Sequence, residues 1–234
     1  MAIPPPRLPI SDEARRGVEL LTARWRAVAD LRALAEVTLE RGGARHRLVG
    51  VVLATPPGSV RFEALSPFGH PYLLVTVHDG RLVLYDAARN EALVGAATAE
   101  TAAELLSLPL EPGDLVATLA GGVAPPPDLR TADLLEADAL GPSLAMAGAV
   151  HRQRVWMDFT TGDVRQVEIT GGRASATVTF RRDAAGALTG FDVTAGGGLV
   201  TGTVRYRSLV LGAGVDPARY TLTLPKDAKI NAIR

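Results

Sequence analysis

The sequence predicts a mainly β protein built on one long, curved antiparallel sheet of about eleven strands. Three observations support this prediction. From Leu31 onward, apolar and polar residues alternate with a period of two, which is typical of strands with one buried face. Short turns rich in glycine and proline separate these segments, and turns this short connect antiparallel neighbours. A sheet with this many strands must curl or close on itself.

The composition argues against several classes of function. The chain of 234 residues carries 25 basic and 25 acidic side chains, so it has no net charge to attract polyphosphates, and we expect no nucleic acid partner. Because the sequence contains no cysteine, it can form neither disulfides nor thiolate metal sites. No apolar run approaches the ~20 residues that a membrane-spanning helix needs.

We expect two parts in the chain, a proline-rich, extended tether in residues 1–10 and one domain in residues 11–234. The domain begins with a predicted amphipathic helix, for which Ser11 is a candidate N-cap. The apolar face of this helix should cover one opening of the curled sheet. Its side chains are Val18, Leu21, Trp25 and Val28.

About six strands are predicted in the first half of the chain, where the pair Gly42-Gly43 supplies the first hairpin turn. An alanine- and leucine-rich segment then predicts a helix over residues 98–108, ended by Pro109, and a second short helix that Gly121 ends. Residues 131–139 are predicted to add a helical turn. Strands return over residues 144–224, with a glycine in each of their turns.

Candidate catalytic and metal-binding residues are few. The histidines His46, His70, His78 and His151 are scattered, without the paired spacing of a zinc site. There is no G-x-S-x-G motif and no cysteine nucleophile. We therefore expect no enzymatic activity, no metal and no cofactor. The apolar strand faces are rich in alanine, valine and leucine and poor in aromatic residues, so we expect a cavity between small side chains.

One loop between two predicted strands combines Pro67, Phe68 and Gly69. Proline stiffens such a loop and glycine allows a sharp reversal, so the loop can hold Phe68 out at its tip. Residue type alone leaves two interpretations open. Phe68 either folds back into the core, which its residue type favours, or forms an exposed apolar finger that contacts a membrane or a partner.

Five short blocks give the sequence a resemblance to a known family. Residues 62–69 (FEALSPFG) and 79–86 (DGRLVLYD) are followed by residues 105–110 (LLSLPL), 119–122 (LAGG) and 224–230 (LPKDAKI). In their order and spacing these blocks resemble LolB-type outer-membrane lipoproteins over roughly residues 12–230. The resemblance implies a LolA/LolB-like incomplete barrel, closed by a helical lid over a hydrophobic cavity.

The function that the resemblance implies is lipoprotein localisation, a chaperone role in protein transport. The family accepts lipoproteins from a periplasmic carrier and inserts them into the outer membrane. For this chain it implies a monomer at the periplasmic face of the outer membrane, without a cofactor. The implied partners are lipoprotein acyl chains, a LolA-like carrier and the inner leaflet of the outer membrane. The lipid-anchoring cysteine and the export signal are absent from this sequence, and we expect the native form to carry both.

The resemblance also assigns candidate site residues. The loop of Pro67, Phe68 and Gly69 matches the family's membrane-insertion loop, which reverses the preference above and favours exposure of Phe68. The predicted lid contains Trp25, Leu105, Leu106, Leu115 and Leu119. The predicted acyl-chain cavity is lined by Val37, Leu39, Val60, Phe62, Leu73, Val75, Leu82, Leu84, Val155, Met157, Phe159, Val178, Phe180 and Val193.

Two alternatives stay open. The same fold would carry another envelope lipid, such as a glycolipid, sterol or hopanoid, in a deeper or more polar cavity. A structural envelope protein would instead fill its core with side chains, and an enzyme would place converging polar groups inside the cavity.

Overall fold

The computed structural model describes residues 5–106, 110–149, 151–171 and 174–233, with Leu106 and Ala174 described in their backbone only. Within these ranges the chain forms helices α1 (Asp12–Ala27), α2 (Ala99–Leu106) and α3 (Pro112–Leu119). The strands are β1 (Leu31–Arg41), β2 (Ala44–Thr55), β3 (Ser59–Leu65), β4 (Pro71–His78), β5 (Arg81–Asp86), β6 (Glu91–Ala96), β7 (Thr131–Asp138), β8 (Gly141–Ala147), β9 (His151–Met157), β10 (Val164–Gly171), β11 (Ala174–Arg182), β12 (Leu188–Ala195), β13 (Val200–Leu211) and β14 (Lys229–Ala232).

These strands form one curved, open sheet of 14 strands. Strands β1–β6 make one antiparallel meander and β7–β13 make a second, and β1 pairs with β13 to join the two. The edges are β7 and β14, and β14 pairs in parallel with β6. The helices α2 and α3 connect the two meanders. The predicted class, a mainly β curved sheet with an N-terminal helix and a helical insertion, is confirmed.

The predicted count of about eleven strands is wrong, for three separate reasons. Residues 131–139 were expected to be helical but contain β7, because pairing with β8 satisfies the backbone of this segment. Strands β8 and β9 appear as one apolar segment in the sequence, and the chain turns between them at Gly148, whose N–H donates to the carbonyl of His151. Strand β14 consists of four exposed residues that pair only with the distant β6, so it has no local apolar signal.

Helix α1 packs tightly against the second meander. The Oγ atom of Ser11 accepts a hydrogen bond from the N–H of Ala14 at 3.2 Å, which confirms the predicted N-cap. Leu21 is buried, and an added Cβ at Gly17 would lie 3.3 Å from Cδ2 of Leu144 in β8 and 3.0 Å from Cε1 of Phe159 in the β9–β10 turn. We call β7–β11 with α1 the filled half of the molecule, and β1–β6, β12 and β13 with α2 and α3 the cavity half.

The segment that precedes α1 follows the edge of the sheet. Arg130 donates from Nη1 to the carbonyl of Pro5 at 3.1 Å and accepts at its own carbonyl from the N–H of Leu8 at 3.1 Å. The described part of the predicted tether is therefore hydrogen-bonded to the start of β7. No helix in the described ranges is long and apolar enough to cross a bilayer.

Candidate functional site

An apolar cavity of about 200 Å³ lies between the sheet and helices α2 and α3. Strands β1–β5 form its floor, with β12 and β13 along one side. Its lining is aliphatic or aromatic except for Gly202 and two threonines. The lining residues are Val37, Leu39, Leu48, Val52, Val60, Phe62, Leu73, Val75, Val77, Leu84, Leu105, Leu110, Leu115, Thr118, Leu119, Phe191, Val193, Gly202, Thr203 and Val204.

The burial of these side chains shows where the cavity opens. Along β1, Ala33 and Ala35 are buried, whereas Val37 and Leu39 are only half-buried. The side chains of β2 and β4 also become more exposed toward the β1–β2 and β3–β4 turns. The cavity is therefore closed at the other end of the sheet and open toward these turns. We call this open end the mouth.

The structure brings many of the predicted cavity and lid residues together. Those that border the cavity come from the first meander, from β12 and from the two helices of the insertion. Their role in binding acyl chains stays a prediction. The residues are Val37, Leu39, Val60, Phe62, Leu73, Val75, Leu84, Val193, Leu105, Leu115 and Leu119.

Other predicted cavity residues lie elsewhere, although strands from both ends of the chain line the cavity, as predicted. Leu82 is buried near the closed end of the cavity half. The rest belong to the filled half, where α1 leaves no room for this cavity because its side chains pack directly on the sheet. These residues are Val155, Met157, Phe159, Val178 and Phe180, all of which are part of the core or pack against it.

Two of the predicted lid residues are not seen at the cavity. Trp25 is half-buried and borders a separate cleft of about 250 Å³ between α1 and the end of α3. Its helix covers the filled half, so Trp25 is not a lid residue of the cavity described above. The side chain of Leu106 lies outside the described part of the chain.

A row of aromatic rings separates the cavity from the filled half. Phe180 and Phe191 meet edge to face with ring centroids 6.3 Å apart, and Phe191 and Tyr206 do the same at 6.4 Å. The Tyr206 hydroxyl donates a hydrogen bond of 2.7 Å to the carbonyl of Leu119, at the C-terminal end of α3. Burial raises the pKa of Tyr206, so this hydroxyl stays a donor. The row therefore supports one end of the lid.

The other end of α3 is held by a buried polar cluster. Gln153 of β9 donates from Nε2 to Oδ1 of Asp114 and to the carbonyl of Ala124, both at 3.0 Å. Burial raises the pKa of Asp114 to about 6, against the opposing effect of His151, whose Nε2 lies 3.8 Å from Oδ2. Glu111 nearby adds to the increase. Helix α3 is thus fixed at both ends to strands of the second meander.

The loop between β3 and β4 holds Phe68 away from the protein. The Phe68 side chain is 88% exposed, so the predicted exposure is confirmed, while its membrane-inserting role stays a prediction. The N–H of Gly69 donates to the carbonyl of Ser66 at 2.9 Å, and the N–H of Ser66 donates to the carbonyl of His70 at 2.9 Å. Gly69 has a φ of 82°, which favours glycine. Pro67 and Gly69 are also exposed.

Comparison with known proteins identifies the fold. The chain matches no protein-family model, and no curated protein matches its sequence. A LolA superfamily protein from Nitrosomonas europaea superposes with a TM-score of 0.60 at 11% identity, over 89% of this chain and 97% of that chain. A DUF1329 family protein from Desulfovibrio piger gives 0.58 at 14% identity, over 90% and 98%. A domain assigned to outer membrane lipoprotein sorting, from Vibrio parahaemolyticus, gives 0.57 at 13% identity, over 88% and 97%. The fold is LolA-like.

Several residues that line the cavity were missed in the sequence. Leu48 and Val52 share a face of β2, and Val77 continues the alternation of Leu73 and Val75, so a strict period of two would have found them. Phe191 and Val204 lie where the two meanders join, and only the pairing of β1 with β13 brings them to the cavity. In the described ranges, no group of three or more His, Asp or Glu side chains is placed to hold a metal.

Proposed function

We propose that this protein binds acyl chains of a lipoprotein or another lipid in the apolar cavity and passes them to a membrane. The observation that carries the proposal is the apolar cavity with an open mouth, at the same end of the sheet as the exposed Phe68. The LolA-like fold supports it, since one of the similar structures is a domain assigned to outer membrane lipoprotein sorting.

The finer proposal is a LolB-like receptor at the periplasmic face of the outer membrane. It would accept lipoproteins from a LolA-like carrier and insert them into the inner leaflet, acting as a lipid-anchored monomer. Transfer between two apolar cavities needs neither catalysis nor a cofactor, because the acyl chains never enter water. Exposing them to water would cost ~0.8 kcal/mol per methylene.

The size of the cavity gives this proposal a structural requirement. Its volume of about 200 Å³ is below the ~300–1,000 Å³ of pockets for drug-sized ligands. Cargo must therefore enlarge the cavity. Helix α3 is fixed at both ends, so we expect Leu105 of α2 and the half-buried residues of the mouth to move. The small volume also favours a second candidate, a carrier of an envelope lipid with fewer chains. Native mass spectrometry of protein purified from membranes would identify the lipid and separate the two candidates.

A transfer assay tests the role of Phe68. We expect Phe68→Glu to bind a lipoprotein or a fluorescent fatty acid normally but to fail in delivering it to liposomes, because a carboxylate resists entering apolar surroundings. Phe68→Ala should fold with nearly unchanged stability, since the side chain is 88% exposed. The matched control is Leu140→Glu, at an exposed leucine of the opposite end. Normal delivery by Phe68→Glu would contradict the proposed role.

A further inference from the structure

Three hairpin turns stand side by side at the mouth. The strand order places the β3–β4 turn, the β1–β2 turn and the β12–β13 turn next to one another. The two outer turns carry Phe68 and Leu199, which are 88% and 78% exposed. These are the two most exposed large hydrophobic side chains in the described part of the chain. Single exposed hydrophobes are common on proteins, but these two flank one hairpin at the open end of one cavity.

The β12–β13 turn holds Leu199 outward by its backbone. Gly196, Gly197 and Gly198 all have positive φ values, of 59°, 67° and 96°, so they form a turn that other residues would strain. The register then places Val200 opposite Arg41, at the tip of the β1–β2 hairpin. Leu199 therefore lies beside the end of that hairpin.

The hairpin between the two apolar tips is basic. The mouth-side parts of β1, β2 and β13 carry four arginines against two glutamates, an excess of two positive charges in a chain of zero net charge. The glutamates, Glu36 and Glu40, are already paired with arginines, and the paired side chains of Arg45 and Arg47 remain 72% and 67% exposed. The four arginines are Arg41, Arg45, Arg47 and Arg205.

We propose that Leu199 and the arginines of the β1–β2 hairpin form a second membrane-contact point, which binds a bilayer with anionic headgroups. The leucine enters the apolar layer while Arg41 and Arg45 contact lipid phosphates. Separated apolar tips with a basic segment between them fit a lipid surface, whereas a protein partner favours a continuous apolar core. This inference rests on the proposed lipid-transfer function, because it explains how the mouth is directed at the membrane.

Flotation with two kinds of vesicles tests the inference, one of phosphatidylcholine and one of phosphatidylcholine mixed equally with phosphatidylglycerol. We expect the protein to prefer the anionic vesicles and to lose that preference at high salt. Leu199→Ser should weaken binding about tenfold, because the variant lacks the leucine side chain that would be buried in the bilayer. Arg45→Gln should weaken binding to anionic vesicles about fivefold and leave binding to neutral vesicles unchanged.

The matched controls are Leu140→Ser and Arg26→Gln, at an exposed leucine and an exposed arginine of the closed end. Both should bind vesicles like the unaltered protein. Equal binding to the two vesicle types, or unchanged binding by Leu199→Ser, would overturn the inference. So would an Arg45→Gln effect seen only with a protein carrier. A fluorescent fatty acid, added without vesicles, tests the cavity separately. If the unaltered protein fails to bind it, the proposed function fails, whatever the vesicles show.

Discussion

The two halves of the sheet are built alike, yet only one of them encloses the cavity. Both are antiparallel meanders whose strands alternate apolar and polar residues. The filled half is covered by α1, a helix of 16 residues whose apolar face packs directly on the strands. The cavity half is covered by α2 and α3, each of eight residues, and α3 is fixed by hydrogen bonds from Gln153 of β9 and Tyr206 of β13. The covering helices, and not the strands, decide where the cavity lies.

The largest expected difference in stability between the two halves comes from a pair of leucine substitutions. Leu144 of β8 is fully buried under α1, so Leu144→Ala should lower the free energy of unfolding by ~3–5 kcal/mol, because it creates a new void. Leu48 of β2 already borders the cavity and is half-buried, so Leu48→Ala should cost only ~1 kcal/mol. Urea denaturation of both variants measures the difference. Equal losses would mean that the two halves are packed alike.

The buried carboxyl group of Asp114 should have an effect of intermediate size on stability, and this effect depends on pH. Burial raises the pKa of Asp114 from its ordinary value of 3.8 to about 6, so between these values the folded protein holds a proton that the unfolded chain has lost. Stability should therefore fall as the pH rises through this window and stay lower above it. Between about pH 4 and pH 8, we expect the free energy of unfolding of the unaltered protein to fall by ~2–3 kcal/mol relative to that of Asp114→Asn.

Thermal or urea unfolding of both proteins across this pH range measures the effect. Asparagine keeps an oxygen that accepts from Gln153 but cannot ionise. The matched control is Asp133→Asn, at an exposed aspartate of β7, which should not change the pH dependence. If the stability of Asp114→Asn followed pH as the unaltered protein does, the carboxyl group of Asp114 would not control this window.

The sequence predicted most of the elements because their signals are local. The period of two from Leu31, the cap at Ser11 and the paired glycines of the first hairpin each specify one element. Gly42 and Gly43 indeed have φ values of 56° and 80°. Strand β14 was missed because it pairs with the distant β6, which nothing in its own sequence marks as a neighbour. Strand β7 pairs with β8, the next strand along the chain, and was missed because its segment was expected to be helical.

The cavity was only half predictable for the same reason. Alternation identifies which side chains share a face, so Val37, Phe62 and Leu73 were correctly placed on the concave side. It does not show which helix covers that face. Met157 and Val178 have the same pattern as the true lining residues, but α1 packs over their half and they became core.

Removal of one hydroxyl group gives the smallest expected effect, and it tests whether β13 holds the lid in place. Tyr206→Phe removes the 2.7 Å hydrogen bond to the carbonyl of Leu119 and should cost ~1 kcal/mol of stability. Because this bond fixes the end of α3, we expect a fluorescent fatty acid to enter the variant faster in stopped-flow measurements. Tyr85→Phe is the control, since it removes a 2.9 Å bond to Asn90 in the β5–β6 turn, away from α3. It should not change the entry rate. Equal rates in all three proteins would show that the lid opens without releasing Tyr206, and would place the moving element in α2 alone.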